Sequence, residues 1–119
     1  MGEVARYWYT GGRDCYRNSL YDPAQDASGG TATVGGFLPN EWGLYDMHGN
    51  VWELCLDWYE AYHGTVVDPV GAASGVVRMA RGGSWEIEIP ACCRSAFRNS
   101  RQLSERQFDT GFRAARTLP

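Results

Sequence analysis

The chain has 119 residues, 44% of them hydrophobic, and a formal net charge of −3. That is enough for one globular domain with a real core, and the near-neutral balance carries no global signal for a polyanionic partner. No run of about eighteen apolar residues occurs and no hydrophobic leader opens the chain, so a helical membrane span is not encoded and a cytoplasmic location is expected.

Residues 1–33 carry little pattern. Tyr7-Trp8-Tyr9 suits a short strand or packing under the core, and Gly11-Gly12, Asn18, Asp22-Pro23 and Gly29-Gly30 punctuate loops. The sequence becomes informative at Trp42. From Val51 to Tyr59 it alternates, with Trp52, Leu54, Leu56 and Trp58 on one side and Glu53, Cys55 and Asp57 on the other. A period of two predicts a half-buried strand with two tryptophans on its core face. Gly49-Asn50 ahead of it predicts a turn, because both residues tolerate positive φ. Asn50 and Glu53 beside loop carbonyls are hard oxygen donors of the kind calcium takes. The more ordinary reading has Asn50 capping the turn and Glu53 pairing with an arginine.

Val76 to Trp85 predicts a second strand, ending at Gly82-Gly83 where missing side chains permit a bulge or close backbone contact. A third is expected over Cys93 to Asn99. A fourth is expected over Gly111 to Leu118, with Phe112, Ala114 and Leu118 facing inward. Glu86-Ile87-Glu88-Ile89-Pro90 and Ser100 to Thr110 are left as exposed loops, as is Gly64 to Gly75. The expected core is Trp52, Leu54, Leu56, Trp58, Trp85, Phe97 and Phe112.

All eleven basic residues are arginine, and eight of them stand from Arg78 onward, which makes the tail positive and the front acidic. Arginine forms planar bidentate pairs with carboxylates. Arg81, Arg98 and Arg113 are therefore expected to pair with internal carboxylates, and no nucleic-acid binding is expected. Of the cysteines Cys15, Cys55, Cys92 and Cys93, no two are spaced as C-x-x-C, which argues against zinc. They are expected to be reduced, with Cys55 a buried thiol. His48 and His63 read as packing or surface residues.

Asn40-Glu41-Trp42-Gly43-Leu44-Tyr45-Asp46-Met47-His48-Gly49-Asn50-Val51-Trp52-Glu53 resembles the signature of the formylglycine-generating enzyme, or sulfatase-modifying factor, family. Arg81-Gly82-Gly83-Ser84-Trp85 agrees, as does Cys93-Arg94-Ser95-Ala96-Phe97-Arg98 followed by Gly111-Phe112-Arg113. The resemblance covers residues 34–116. It implies an α+β, C-type-lectin-like irregular domain with a small antiparallel sheet and long loops. The expectation is one domain over 1–119, lacking the family's N-terminal part. It further implies a structural calcium site built from Asn50 and Glu53 side chains with carbonyls at Val51 and Cys55.

The family's enzyme works through a copper-binding cysteine pair shortly after the Gly-Gly-Ser-aromatic block. The matching positions here are Ile87 and Pro90, and neither is a thiol. No catalytic residue and no copper are therefore assigned. The expected function is a non-catalytic ligand- or protein-binding module, resembling the variable proteins of diversity-generating retroelements. Its binding residues would be Trp85, Glu86, Ile87, Glu88, Ile89, Ser100, Arg101, Gln102, Leu103, Gln107 and Phe108. The partner would be an unidentified protein or small ligand, the rest of a longer chain, or a second subunit. The alternatives are a formylglycine-generating oxidoreductase and an accessory module of a larger enzyme.

Overall fold

A computed structural model describes the backbone of Ala5 and Arg6 and all of residues 30–116. The expectations for Tyr7-Trp8-Tyr9, Cys15, Leu118 and the early loops lie outside these residues. Six short strands are present: β1 (Ala5–Arg6), β2 (His48–Gly49), β3 (Trp52–Trp58), β4 (Arg78–Arg81), β5 (Asn99–Arg101) and β6 (Thr110–Phe112). The main sheet runs β5-β4-β3-β6, and β1 pairs with β2 apart from it. β4 is antiparallel to both β3 and β5, whereas β6 is parallel to β3 and β1 is parallel to β2. The sheet is therefore mixed rather than antiparallel. Among the described residues the one helical element is a 3-10 turn over Pro90–Cys93.

β3 forms where the alternation predicts it. Gly49 and Asn50 both hold positive φ, at 80° and 68°, and deliver the chain into the strand. Trp52 is fully buried, with Met79, Ala80 and Cys93 completing the apolar centre. Leu54, Trp58 and Trp85 are half-buried. Three residues assigned to the core face are not there. Leu56 is 93% exposed, because the register moves from Leu54↔Ala80 to Trp58↔Arg78. Three β3 residues thus oppose a single β4 residue, and a bulge of this kind turns a side chain out of the alternation. Phe112 is 80% exposed, since it ends the edge strand β6 and no strand covers it from beyond. Phe97 stacks on Trp52 with ring centroids 6.0 Å apart, yet its outer edge stays in solvent.

The strand expected over Cys93 to Asn99 is replaced by the 3-10 turn and one further turn, with strand pairing only from Asn99. Pro90 suits the start of a helical turn, its ring fixing φ and its missing N–H costing nothing there. The turn drives Cys93 inward against Gly83. A Cβ built on Gly83 would stand 2.6 Å from the Cys93 sulfur and 3.0 Å from its Cα, and Gly83 also holds φ at +80°. The expected close contact at Gly82-Gly83 is thus made, and only glycine satisfies both conditions. β4 ends at Arg81 ahead of it, and β6 stops at Phe112 rather than running to Leu118.

Three variants test this packing in urea titrations. Trp52→Ala should lose about 3–5 kcal/mol, whereas Leu56→Ala should stay within about 0.5 kcal/mol of the parent. Gly83→Ala should lose at least about 1–3 kcal/mol through strain and overpacking. Equal losses at Trp52 and Leu56 would contradict the bulge. Burial also raises the Cys93 thiol to about 11 from its ordinary 9.0. The unfolded chain therefore gives up this proton first. The thiol's contribution to stability is full below pH 9 and falls as the pH rises towards 11. Cys93→Ala should remove that part of the alkaline slope.

Candidate functional site

The Gly49-Asn50 turn is a clasp between distant segments. Asn50 is buried; its amide oxygen accepts from the Ala32 N–H at 2.8 Å and its amide nitrogen donates to the Ala32 carbonyl at 3.3 Å. Its own carbonyl accepts from the Trp85 N–H at 2.9 Å, and the Gly49 N–H donates to the Gly82 carbonyl. The His48 Nδ1–H donates to the Cys93 carbonyl at 2.7 Å, a packing role as expected. The turn thereby fixes where Trp85 leaves the sheet.

A second polar cluster sits behind Trp85. Asp109 is buried, and one carboxylate oxygen accepts from Arg101 at 3.1 Å and from the buried Ser84 hydroxyl at 3.4 Å. Its other oxygen accepts from the Thr110 hydroxyl at 3.2 Å, and its backbone carbonyl takes the Trp52 N–H at 2.7 Å. Arg101 lies over the Trp52 ring, 5.3 Å from its centroid. Four chain segments meet at this residue, three at its carboxylate and β3 at its carbonyl.

The cluster brings the two predicted loops together at their bases. Trp85 opens one and Phe108 closes the other, and their rings touch with centroids 5.7 Å apart and planes inclined at 45°. Beyond that contact Glu88, Ile89, Gln102, Leu103 and Phe108 are exposed. Glu86 and Ile87 are half-buried, and the Ile87 N–H closes a turn on the Ser84 carbonyl at 3.2 Å. Gln107 donates to Glu105 within its own loop at 2.8 Å. Two residues expected in the exposed loop are elsewhere. Ser100 and Arg101 form β5, opposite Met79 and Arg78, and Arg101 is spent on Asp109. The Arg101–Asp109 pair has no signature in the sequence, because the seven intervening residues give it no periodicity.

At Glu53 the central motif has the arrangement of the ordinary reading, a pairing with an arginine, whereas the Asn50 side chain holds Ala32 rather than capping its own turn. Arg113 grips Glu53 with two hydrogen bonds, 2.5 and 2.8 Å, and donates to the Asp46 carbonyl at 3.2 Å. This pairing, led by the Glu53 hydrogen bond, raises the Arg113 pKa. Asp46, Asn50, Val51, Glu53 and Arg113 line one cleft of about 280 Å³, and one buried Asp46 carboxylate oxygen has no partner among the described residues. Oxygen donors therefore converge on this cleft. The cationic position beside Glu53, however, is filled by a guanidinium, and a calcium ion would have to share or displace it. Cys55 is half-buried rather than buried, does not line this cleft, and its thiol points at the Glu53 carbonyl, 3.9 Å away.

Copper does not fit the residues at the enzyme-like positions. Ile87 and Pro90 offer no ligand, Cys93 is buried under Gly83, and Cys92 is half-buried on the same turn. The segment is a 3-10 turn rather than extended, which still leaves the two sulfurs in different environments. Among the described residues no group of three histidine, cysteine or acidic side chains is placed to hold a metal ion. The arginines also differ from expectation. Arg113 does pair with a carboxylate, but Arg81 donates to the Ser95 and Phe97 carbonyls at 3.0 and 3.1 Å. Arg98 donates to the Glu60 carbonyl at 2.7 Å.

The family model described as the Sulfatase-modifying factor enzyme 1-like domain matches residues 2–118. The formylglycine-generating enzyme of Thermomonospora curvata is 38% identical over 104 residues, which is 81% of this chain and 34% of that protein. The serine/threonine-protein kinase pkn1 of Chlamydia pneumoniae is 39% identical over 93 residues, 74% of this chain and 15% of the kinase. Among solved structures, Treponema denticola variable protein 1 superposes with a TM-score of 0.69 at 31% identity, covering 92% of this chain and 34% of that one. The chain thus spans about a third of the length of the first of these relatives.

Asp109→Ala should lose roughly 1.5–3 kcal/mol, because it strands the largely buried Arg101 and Ser84 donors together. A double-mutant cycle with Arg101→Met should recover most of that loss as coupling. Additive losses, read from urea midpoints, would mean that the carboxylate does not join the segments.

Proposed function

The chain belongs to the sulfatase-modifying factor enzyme 1-like family, and from that premise we propose that it is a non-catalytic binding module of the C-type-lectin-like α+β type. The observation that carries this reading is the Trp85–Phe108 contact, which joins the 86–89 and 102–108 loops into one surface on a rigid sheet. Exposed Ile89, Leu103 and Phe108 supply apolar anchors, with Glu88 beside them. Interfaces take most of their energy from a few such anchors. Likeness to a variable protein supports a surface whose side chains differ between copies while the frame stays fixed. The partner is an unidentified protein or small ligand. An accessory role within a longer chain is the second reading, favoured by the similarity to a stretch of a protein kinase.

The binding reading is tested by panning a displayed random-peptide library on the protein and then assaying the enriched clones on Phe108→Ala and Ile89→Ala. Clones should be enriched that lose binding with Phe108→Ala or Ile89→Ala while the variants keep their melting temperature. Enrichment that ignores both substitutions would move the site elsewhere. The enzyme reading makes the opposite prediction: with copper and a sulfatase-type cysteine peptide, we expect no aldehyde by mass spectrometry. Aldehyde that vanishes in a Cys92→Ser, Cys93→Ser variant would restore the oxidoreductase.

Structural calcium at the central motif belongs to the same proposal. Asn50 and Glu53 would hold the ion with nearby carbonyls, and Asp46 adds an oxygen donor in the same cleft. Arg113 competes for Glu53, so the rise in melting temperature with calcium should be larger in Arg113→Gln than in the parent. No shift in either protein would remove the ion from the reading.

A further inference from the structure

A second concavity, remote in sequence from the two loops, is built by the other end of β3. Its volume is about 520 Å³, within the usual range of small-ligand sites. One wall is the 60–71 segment, whose far end lies close against β3. Gly71 sits so close that a Cβ there would be 2.5 Å from the Asp57 Cβ, and Ala72 bridges to Trp58. The buried Met79 gives an apolar floor. Arg81 and Arg98 line the same cleft, as do Asp57, Glu60 and Asp68.

The two guanidiniums are fixed without consuming their charge. Arg98 stacks on Tyr62 at 4.2 Å and Tyr59 at 5.0 Å, and its hydrogen bond goes to a backbone carbonyl. Arg81 likewise spends one nitrogen on two carbonyls. Each keeps its other N–H groups without a partner among the described residues. Asp57 and Asp68 likewise accept no hydrogen bond or ion pair among them. A cleft holding only arginines would take an anion, and one holding only carboxylates a cation. Here both are present and neither neutralises the other, although charge-assisted hydrogen bonds are the stronger kind.

We propose that this cleft binds a small zwitterion of the α-amino-acid type. Arg98 and Arg81 receive the carboxylate, Asp57 and Asp68 receive the ammonium, and Met79 meets the carbon skeleton. Tyr62, largely exposed, forms the rim.

Isothermal titration with glycine, L-glutamine, L-glutamate and L-lysine tests it, with n-butylamine and n-butyrate as the separated halves. At least one amino acid should bind in the millimolar range or tighter, with each half about tenfold weaker. Asp57→Asn, which keeps the shape, and Arg98→Met should each weaken binding by about tenfold. Arg98 also anchors Glu60, so its variant counts only with an unchanged melting curve, and Asp57→Asn decides alone otherwise. The proposal is overturned if no amino acid in the series gives heat, if butylamine or butyrate binds as tightly as the best of them, or if Asp57→Asn binds unchanged. Phe108→Ala should leave the titration as it was, which keeps this site separate from the loop surface.

Discussion

One carboxylate organises this fold. Asp109 accepts from Arg101 on β5, from Ser84 beyond β4 and from Thr110 on β6, while its carbonyl takes the first N–H of β3. The strands of the main sheet are only three to seven residues long, and a three-residue strand contributes few ladder bonds of its own. Short elements are held by whatever ties their ends. A buried charge linked to donors from several segments does that with directionality, which apolar contact lacks. Ser84 and Asp109 are also the chain neighbours of Trp85 and Phe108, so their bond draws the bases of the two loops together.

The part of the chain that could be read from sequence is the part with periodicity or special backbone. The β3 alternation, the Gly49-Asn50 turn and the close contact at Gly83 all follow from local rules, since they depend on period two or on positive φ. The inner faces of the later strands do not. A bulge between Leu54 and Trp58 leaves no mark in a list of residue types, yet it turns Leu56 into solvent. Phe112 satisfies the rule for a core residue and fails because its strand is an edge, a property of sheet order that no single segment encodes. The site behaves similarly: both loops were marked by composition, whereas the removal of Ser100 and Arg101 into β5 depends on Met79 and Arg78 being there to pair with.

The choice of arginine throughout has a physical reason that carboxylate pairing does not cover. An irregular fold leaves many loop carbonyls without ladder partners, and a buried unsatisfied carbonyl is costly. A guanidinium offers five donors on one plane and can serve two carbonyls from a single nitrogen. Arg81 closes the Ser95–Phe97 turn in this way, Arg98 holds the Glu60 segment, Arg113 reaches the Asp46 carbonyl and Arg78 reaches that of Leu56. Lysine, with one compact ammonium, could not reproduce the planar fork by which Arg113 holds the Glu53 carboxylate and the Asp46 carbonyl at once. Arg78, Arg81, Arg98, Arg101 and Arg113 of the basic tail are therefore internal fasteners.

Those fasteners also mark what is left loose. Four of these guanidiniums reach carbonyls at 46, 56, 60, 95 and 97, and none of these lies in 86–89 or 102–108. The two loops are joined to the frame at Trp85, Phe108 and Asp109, and their outer side chains are exposed and take no part in those fastenings. Substituting an exposed side chain away from caps, strained positions and buried pairs changes stability little. Residues such as Glu88, Ile89, Gln102 and Leu103 can then vary without loosening the sheet, whereas Arg81 or Asp109 cannot. A surface that tolerates exchange on a frame that does not is what the proposed binding module requires, and both properties follow from where the arginines donate.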